Sequence, residues 1–283
     1  ISTTEHKNNL TAGVLEVKGN FTQRNYSQQT RNNFVAQGNH KTILSGLNEQ
    51  VVSFSDPTNS TFNILEVKGT NNSVKFDSPI YLKTFICERT INSNLELKKI
   101  VNPLEGDIKV NGDLIISSRD VNLDVNGHKL IVEGNLVQNN GNIYVGKGEV
   151  LVKGNYNGTN SGRIYMVYDE DYVCIEGDFN ISTTEHKNNL TAGVLEVKGN
   201  FTQRNYSQQT RNNFVAKGTH KTILSGLNEQ IVSFSDPTSS KFNILEIRGT
   251  CDTVKFDSAI PVNTFICERT INSNLELKEL VNP

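Results

Sequence analysis

Three consecutive phrases decide the fold: Leu130-Ile-Val-Glu-Gly134-Asn-Leu136, Val150-Leu-Val-Lys-Gly154-Asn-Tyr156 and Val173-Cys-Ile-Glu-Gly177-Asp-Phe179. Each phrase places apolar residues at alternate positions, then Gly, then Asn or Asp, then another apolar residue. A period of two is typical of a β-strand and not of a helix. The phrase therefore predicts a strand that ends at a glycine corner.

The phrase recurs at short intervals along the chain. The glycines from Gly112 to Gly199 are separated by 22, 20, 23 and 22 residues, with further alternating segments such as 121–125 between them. Intervals of 20–23 residues are too short for a β-α-β unit and fit one coil of a parallel β-solenoid. Between Gly69 and Gly112 the phrase is incomplete, so it does not fix the register in which successive coils pair. The predicted corner glycines are Gly19, Gly46, Gly69, Gly112, Gly134, Gly154, Gly177 and Gly199.

Stacked coils predict particular contacts at the corners and in the core. A corner needs either a positive φ or a close approach of two backbones, and glycine accepts both. The Asn or Asp after each glycine is expected to hydrogen-bond from coil to coil along the axis. Inside, one column is expected from Leu130, Val150 and Val173, with a second column from Val132, Val152 and Ile175 beside it.

A much longer repeat contains the short one. Residues 1–103 return as 181–283, and 87 of these 103 positions are identical. Apolar residues correspond to apolar ones, whereas most other differences lie at residues typical of surfaces. We therefore expect residues 1–180 to form one unit of about eight coils, and residues 181–283 to form a partial second copy that continues the same solenoid. Eight coils spaced by about 4.8 Å rise by about 38 Å.

The composition suits a thin core. Hydrophobic residues make up 35% of the 283 residues, Trp is absent and the formal net charge is −2. Such a chain is too polar for a thick globular core and too rich in Val, Ile, Leu and Phe for disorder. We predict an all-β, right-handed parallel β-solenoid without significant helix. Because the chain has no run of Lys and Arg and no apolar stretch of about 18 residues, neither nucleic-acid binding nor membrane insertion is expected.

The wording of the repeats resembles a known class of proteins. The segments 15–23 (Leu-Glu-Val-Lys-Gly-Asn-Phe-Thr-Gln), 38–46 (Gly-Asn-His-Lys-Thr-Ile-Leu-Ser-Gly) and 62–67 (Phe-Asn-Ile-Leu-Glu-Val) are similar to tandem-repeat arrays of very large secreted and cell-surface proteins of Gram-positive bacteria. The resemblance covers almost the whole chain. It implies an extracellular, cell-surface location, and it implies no catalytic residue and no established ligand.

Two groups of outward residues are candidates for a partner interface. The residue three positions before the corner glycine is expected to face outward, and it is apolar in three consecutive coils: Ile131, Leu151 and Cys174. Tyr144 and Tyr165 are expected to be neighbours on the outer face of another strand. An outward apolar stripe is either a partner surface or is covered by a loop of the same chain, such as residues 155–163.

The remaining reactive side chains favour structural roles. The acidic patch 169–171 lies between two tyrosines and is expected to be a solvated turn, not half of a catalytic carboxylate pair. The histidines lack a second ligand at metal spacing, and the cysteines lack the C-x-x-C spacing of a zinc site. We predict no enzymatic activity, no metal site and no cofactor. The residues concerned are His6, His40, His128, His186, His220, Cys87, Cys174, Cys251 and Cys267.

Open-ended stacking of coils favours a structural role. The leading hypothesis is a segment of a bacterial surface fibre or stalk, whose partners are further copies of itself, end to end and side by side. The alternative is a carbohydrate-binding adhesin region in which tyrosines contact surface glycans; the absence of Trp counts against it. An intracellular cytoskeletal β-helix polymer and a glycan-active enzyme are less favoured.

Overall fold

The computed structural model describes residues 1–2, 9–28, 32–69, 73–184, 188–208, 211–249 and 253–278. Within these ranges every regular element is a β-strand, and no residue is helical. The strands pair in parallel with strands of the preceding and following coils. The predicted all-β, parallel β-solenoid is therefore confirmed.

The strands are short and lie in three groups along the chain. In the first copy of the long repeat they are β1 (Val14–Val17), β2 (Phe21–Gln23), β3 (Lys41–Leu44), β4 (Gln50–Phe54), β5 (Ile64–Val67), β6 (Val74–Phe76), β7 (Ile80–Tyr81), β8 (Thr84–Cys87) and β9 (Leu95–Lys99). In the middle they are β10 (Ile108–Val110), β11 (Leu114–Ile116), β12 (Asn122–Asp124), β13 (Lys129–Val132), β14 (Leu136–Gln138), β15 (Asn142–Tyr144), β16 (Glu149–Val152), β17 (Tyr156–Asn160), β18 (Arg163–Tyr165), β19 (Tyr172–Ile175) and β20 (Phe179–Thr183). In the second copy they are β21 (Val194–Val197), β22 (Phe201–Gln203), β23 (Lys221–Leu224), β24 (Gln230–Phe234), β25 (Phe242–Ile247), β26 (Thr253–Phe256), β27 (Ile260–Cys267), β28 (Thr270–Ile271) and β29 (Leu277–Lys278).

Each coil has three sides. In the middle of the chain β13, β14 and β15 follow one another around one coil, and they pair with β16, β17 and β18 of the next coil. The phrase strand and the alternating segment that follows it thus occupy two of these sides, and the remaining side carries a further strand. In this middle part, stacking of the coils produces three parallel sheets, one on each side, that enclose a narrow core.

The length of a coil varies more than the predicted 20–23 residues. Most strand pairs keep their registers, so most of the variation lies in the segments between strands, where insertions are tolerated. Measured between paired residues, the coil is 20 residues from Leu130 to Val150, 27 from Val14 to Lys41, 31 from Phe21 to Val52 and 17 from Val74 to Ile91.

The core consists of columns of identical register. The column of Leu130, Val150 and Val173 is buried, as is the neighbouring column of Val132, Val152 and Ile175. On another side Tyr156, Phe179 and Phe201 stack on successive coils, with ring centroids 4.7 and 5.2 Å apart. The Tyr156 hydroxyl donates a hydrogen bond of 3.0 Å to Gln138. Parallel, in-register stacking thus brings like residues together, as the phrase predicted.

Six of the eight predicted corner glycines are required by close packing, not by a positive φ. Among the eight predicted glycines, only Gly69 has a positive φ, of 97°. Gly154 donates a hydrogen bond of 2.9 Å to the carbonyl of Gly134, and Gly177 donates one of 3.0 Å to that of Gly154. A Cβ on Gly154 would lie 2.7 Å from the Gly134 oxygen, a distance that real Cβ atoms do not adopt. Glycine therefore lets the corners of successive coils touch; a Cβ on Gly19, which lies near the start of the chain, would meet no atom within 4 Å.

A ladder of Asn and Asp side chains runs along the same corner. The side-chain oxygen of each accepts the backbone N–H of its counterpart one coil later: Asp113 from Asn135 at 2.7 Å, Asn135 from Asn155 at 2.9 Å, and Asn155 from Asp178 at 2.7 Å. Asp178 in turn accepts from Asn200 at 2.7 Å. The predicted axial hydrogen bonds are therefore present, and they join side chain to backbone.

A column of paired residues shows how the long unit is wound. Each step rises by one coil: Phe21 to Val52, Val52 to Phe76, Val74 of the same strand to Ile91, then to Val110, Val132, Val152, Ile175 and Val197. After these eight steps the column reaches β21, which is the copy of β1. The copy of β2 is β22, on the next side of the coil. One unit therefore makes eight turns plus one side of three, and rises by about 40 Å.

The additional third of a turn arises in the segment where the glycine phrase is incomplete. In the first copy β1, β3, β5 and β8 share one sheet. The phrase resumes at β10, whose Val110 stacks on Ile91 and thereby on Val74 of β6, a strand of the next side. From Thr84 to Ile108 the chain thus completes one coil and one further side in 24 residues. As a result, the second copy is turned by one third of a turn relative to the first.

A buried arginine joins the corners of three successive coils. Arg89 is 4% exposed, and its guanidinium donates hydrogen bonds to the carbonyls of Gly46 at 2.6 Å and Lys68 at 2.5 Å. It also donates to the side-chain oxygen of Gln50 at 3.1 Å. The second copy repeats the bond between Arg269 and its own glutamine, at 2.7 Å. A buried cation is retained because several acceptors surround it.

Candidate functional site

The apolar stripe of Ile131, Leu151 and Cys174 lies in one outward column. The three residues are direct partners on β13, β16 and β19. Ile131 and Leu151 are half-buried and Cys174 is 6% exposed. The column continues to a charged residue at each end, Lys109 below and Glu196 above. The stripe is therefore one residue wide and three coils long.

Charged side chains on the same sheet flank the stripe. On one edge Lys129 pairs with Glu149 at 2.9 Å, and on the other Lys153 pairs with Glu176 at 2.7 Å. Lysine stems often lie along apolar surface while their ammonium groups stay in water, so lysines suit the edges of such a stripe. Residues 155–163, expected as a covering loop, instead include β17, which belongs to a different sheet.

The top of the stripe is closed by a hydrogen bond. The Tyr172 hydroxyl donates to the Glu196 carboxylate at 2.6 Å, beside Cys174. Burial raises the pKa of the Cys174 thiol, so the thiol stays protonated at neutral pH. The stripe is thus a narrow surface closed by its own neighbours, without a reactive group.

Tyr144 and Tyr165 are neighbours on the third side, as expected. They are direct partners on β15 and β18, and their rings stack with centroids 4.6 Å apart and planes 18° apart. Both are half-buried. Asp124 occupies the same column one coil below. Burial raises the pKa of the Tyr144 hydroxyl, which therefore remains a neutral donor and acceptor.

A shallow groove of about 340 Å³ lies beside these tyrosines, at the corner after the strands. We call it the tyrosine groove. The residues that carry its chemistry are Asp124, Asn126, Tyr144, Lys147, Tyr165 and Tyr168. Lys147 and Tyr168 come from two corner loops, and the Lys147 Nζ lies 5.1 Å from the centre of the Tyr168 ring. Sequence reasoning identified the two strand tyrosines and missed the loop residues, because nothing in the strand period places a loop side chain.

The acidic patch at the same corner has a structural role. Asp171 is 1% exposed, and its carboxylate accepts the backbone N–H groups of Lys147 at 2.6 Å, Val167 at 2.6 Å and Tyr168 at 3.0 Å. Asp169 and Glu170 are exposed. The expectation of a solvated turn is therefore wrong for Asp171, which holds two successive corner loops together. Its carboxylate already accepts three backbone hydrogen bonds and therefore serves the fold.

Four of the six described histidines and cysteines are buried, namely His40, His220, Cys87 and Cys174. His220 is fully buried, its Nδ1 lies 3.0 Å from the Ala192 carbonyl oxygen, and burial lowers its pKa to about 4. Burial raises the pKa of Cys87 to about 12. The described ranges contain no group of three His, Cys, Asp or Glu side chains that is able to hold a metal ion. His6, His186 and Cys251 lie outside the described residues.

Neither a membrane span nor a similarity to known proteins points to a function. No helix within the described ranges is long and apolar enough to span a membrane. Comparison with models of protein families, with curated proteins and with solved structures finds no match. The basis for a function is therefore the geometry and the surface chemistry of the solenoid.

Proposed function

We propose that this chain is a structural segment of an extracellular fibre or stalk, and that its main partner is the next copy of its own repeat. The observation that carries the proposal is the continuous pairing across the junction of the two copies. Phe179 of the first unit pairs with Phe201 of the second, and Val173 pairs with Leu195. The junction thus has the same sheets and core as the interior of a unit.

The contacts between successive coils support a structural role. Along the solenoid, coils are joined by backbone hydrogen bonds, by the Asn and Asp ladder and by the buried arginine that spans three coils. In repeat proteins of this kind, most contacts join adjacent coils, so the length grows with the number of coils while the cross-section stays constant. Such a rod suits a spacer.

The outer surface favours growth along the axis over association side by side. The apolar stripe of Ile131, Leu151 and Cys174 is flanked by the ion pairs of Lys129 with Glu149 and of Lys153 with Glu176. Standard protein interfaces bury about 800 Å² on each partner, far more than three side chains offer. Self-association is therefore proposed end to end, through continuation of the coils.

The cell-surface location is supported by the resemblance of the repeats to arrays in large proteins of Gram-positive bacteria. Immunogold electron microscopy of producing cells, with antibodies raised against this chain, tests both parts of the proposal. The expected result is gold on thin projections outside the cell wall. Gold confined to filaments in the cytoplasm would contradict the proposal and support a cytoskeletal polymer.

A further inference from the structure

The tyrosine groove combines aromatic and hydrogen-bonding groups on one concave surface. Tyr144 and Tyr165 contribute a stacked pair of rings, and Tyr168 contributes a ring that is 46% exposed. The Asp124 carboxylate and the Asn126 side-chain amide lie in the same groove. Aromatic carbon packs against the C–H face of a sugar ring, and carboxylate or amide groups bind its hydroxyls, so the lining matches a polyhydroxylated ligand.

Asp124 has an unusual setting for a carboxylate. Its Oδ1 accepts the backbone N–H of Asn126 at 3.0 Å, and no cation of the described ranges forms an ion pair with it. Lys147, the ammonium group of the groove, lies 3.6 Å from Glu170 instead. Burial raises the pKa of Asp124, and the charge of Asp171 raises it as well. A half-buried carboxylate in this position is stabilised by further donors, which sugar hydroxyls supply.

A glycine keeps the carboxylate open to the groove. Gly146 has a φ of 59°, and a Cβ at this position would lie 2.6 Å from Asp124 Oδ1. Any larger residue would therefore press on the acceptor. Asp124, Tyr144 and Tyr165 follow one another in one column, so the groove runs along the axis over two coil spacings, about 10 Å. That length exceeds a single sugar ring.

The remaining chemistry argues against a peptide or a charged ligand. The backbones of β12, β15 and β18 pair with one another along the sheet, so β15 has no free edge to which a peptide strand could add. The groove is lined by one carboxylate, Asp124, and one ammonium, Lys147, which lies near Glu170, so its lining has no cluster of like charges to attract a highly charged ligand.

We infer that the tyrosine groove is a binding site for a neutral oligosaccharide, a role that goes beyond the proposed structural function. The rings of Tyr144, Tyr165 and Tyr168 contact the sugar faces, and Asp124 and Asn126 hydrogen-bond to hydroxyls. In a longer array the groove recurs once per unit, turned by one third of a turn each time. Weak binding at each groove then gains strength through multivalency.

Isothermal titration calorimetry of the intact chain with four neutral tetrasaccharides tests the inference: cellotetraose, maltotetraose, mannotetraose and chitotetraose. The expected result is binding of at least one of them, with a Kd that rises at least about tenfold in Tyr168→Ala. The matched control is Tyr206→Ala, because Tyr206 is 44% exposed and lies on another loop. Its Kd is expected to equal that of the parent chain.

A second, more conservative variant tests the same groove with a smaller change of structure. Asp124→Asn keeps the shape and the Asn126 contact while it removes the charge, and we expect the same sugar to bind at least about fivefold more weakly. Far-UV circular dichroism confirms that each variant is folded. Absence of binding to all four sugars overturns the inference. So does equal weakening by Tyr168→Ala and Tyr206→Ala, or binding that is unchanged in both groove variants.

Discussion

Replacing Gly154 by alanine separates close packing of the corners from ordinary glycine effects. In the folded chain the new Cβ would lie 2.7 Å from the Gly134 carbonyl oxygen and 2.6 Å from Asn135 Oδ1. Both atoms are held in place: the Gly134 oxygen accepts the Gly154 N–H at 2.9 Å, and Asn135 Oδ1 accepts the Asn155 N–H at 2.9 Å. The two coils must therefore separate at this corner.

The expected cost follows from these contacts. Forced overpacking costs about 1–3 kcal/mol, and the weakened hydrogen bond adds about 1 kcal/mol. We expect Gly154→Ala to lower the free energy of unfolding by about 2–4 kcal/mol, measured by urea denaturation followed by circular dichroism. Gly106→Ala is the matched control, because its Cβ would meet no atom within 4 Å and its φ is not positive.

The control variant is expected to have unchanged stability or to gain up to about 1 kcal/mol, since alanine restricts the unfolded chain. Equal urea midpoints for Gly154→Ala and Gly106→Ala would refute close packing of stacked corners as the reason for the glycine.

Three further predictions concern the core, pH and catalysis. Val152→Asp places a charge in the buried column and should lower the free energy of unfolding by about 3 kcal/mol or more. Lys153→Asp on the outer face should lower it by about 1 kcal/mol or less. Equal urea midpoints for the two variants would mean that the inward register is wrong. The pKa of His220 falls from 6.5 to about 4 on folding, so the unfolded chain takes up the proton first, and stability should fall by about 3 kcal/mol as pH drops from 6.5 to 4. His220→Gln should remove that part of the pH dependence in urea titrations at both pH values; an unchanged difference would contradict the assignment. No hydrolysis of pectin, glucans or peptidoglycan is expected in reducing-sugar assays, and activity lost in Asp171→Asn would overturn this prediction.

The strand pattern was predictable because the buried columns repeat within the sequence itself. Val132, Val152 and Ile175 occupy the same place in three phrases, and in parallel coils residues at the same place become direct partners. The Asn and Asp ladder was predictable for the same reason. Period-two alternation and a fixed distance to the glycine are sufficient to place both.

The one-third turn of the unit was not predictable from the phrase. The segment from Thr84 to Ile108, in which the phrase moves to the next side of the coil, contains no complete glycine phrase. Its position in the solenoid is set by single residues such as Ile91, which pairs with Val74 below and Val110 above. The reason for the glycines was only half predicted, since local sequence does not distinguish a positive φ from contact with the next coil.

The tyrosine groove was predictable only in part. Tyr144 and Tyr165 lie on strands, where their outward direction follows from the period. Tyr168 and Lys147 lie in corner loops of different length, and their approach depends on Asp171, which binds both loops through backbone N–H groups. Contacts between loops of successive coils leave no periodic signal in the sequence.

The most direct test of the parallel solenoid and its winding is electron cryomicroscopy of an array of several complete 180-residue units. The winding from Phe21 to Val197 predicts that successive copies are displaced by about 40 Å along the axis and turned by about one third of a turn. In such a map the column that begins at β2 should lead to β21, and β22 should lie on the next side of the coil. Copies that superpose by translation alone, with β2 and β22 in the same column, would contradict the account.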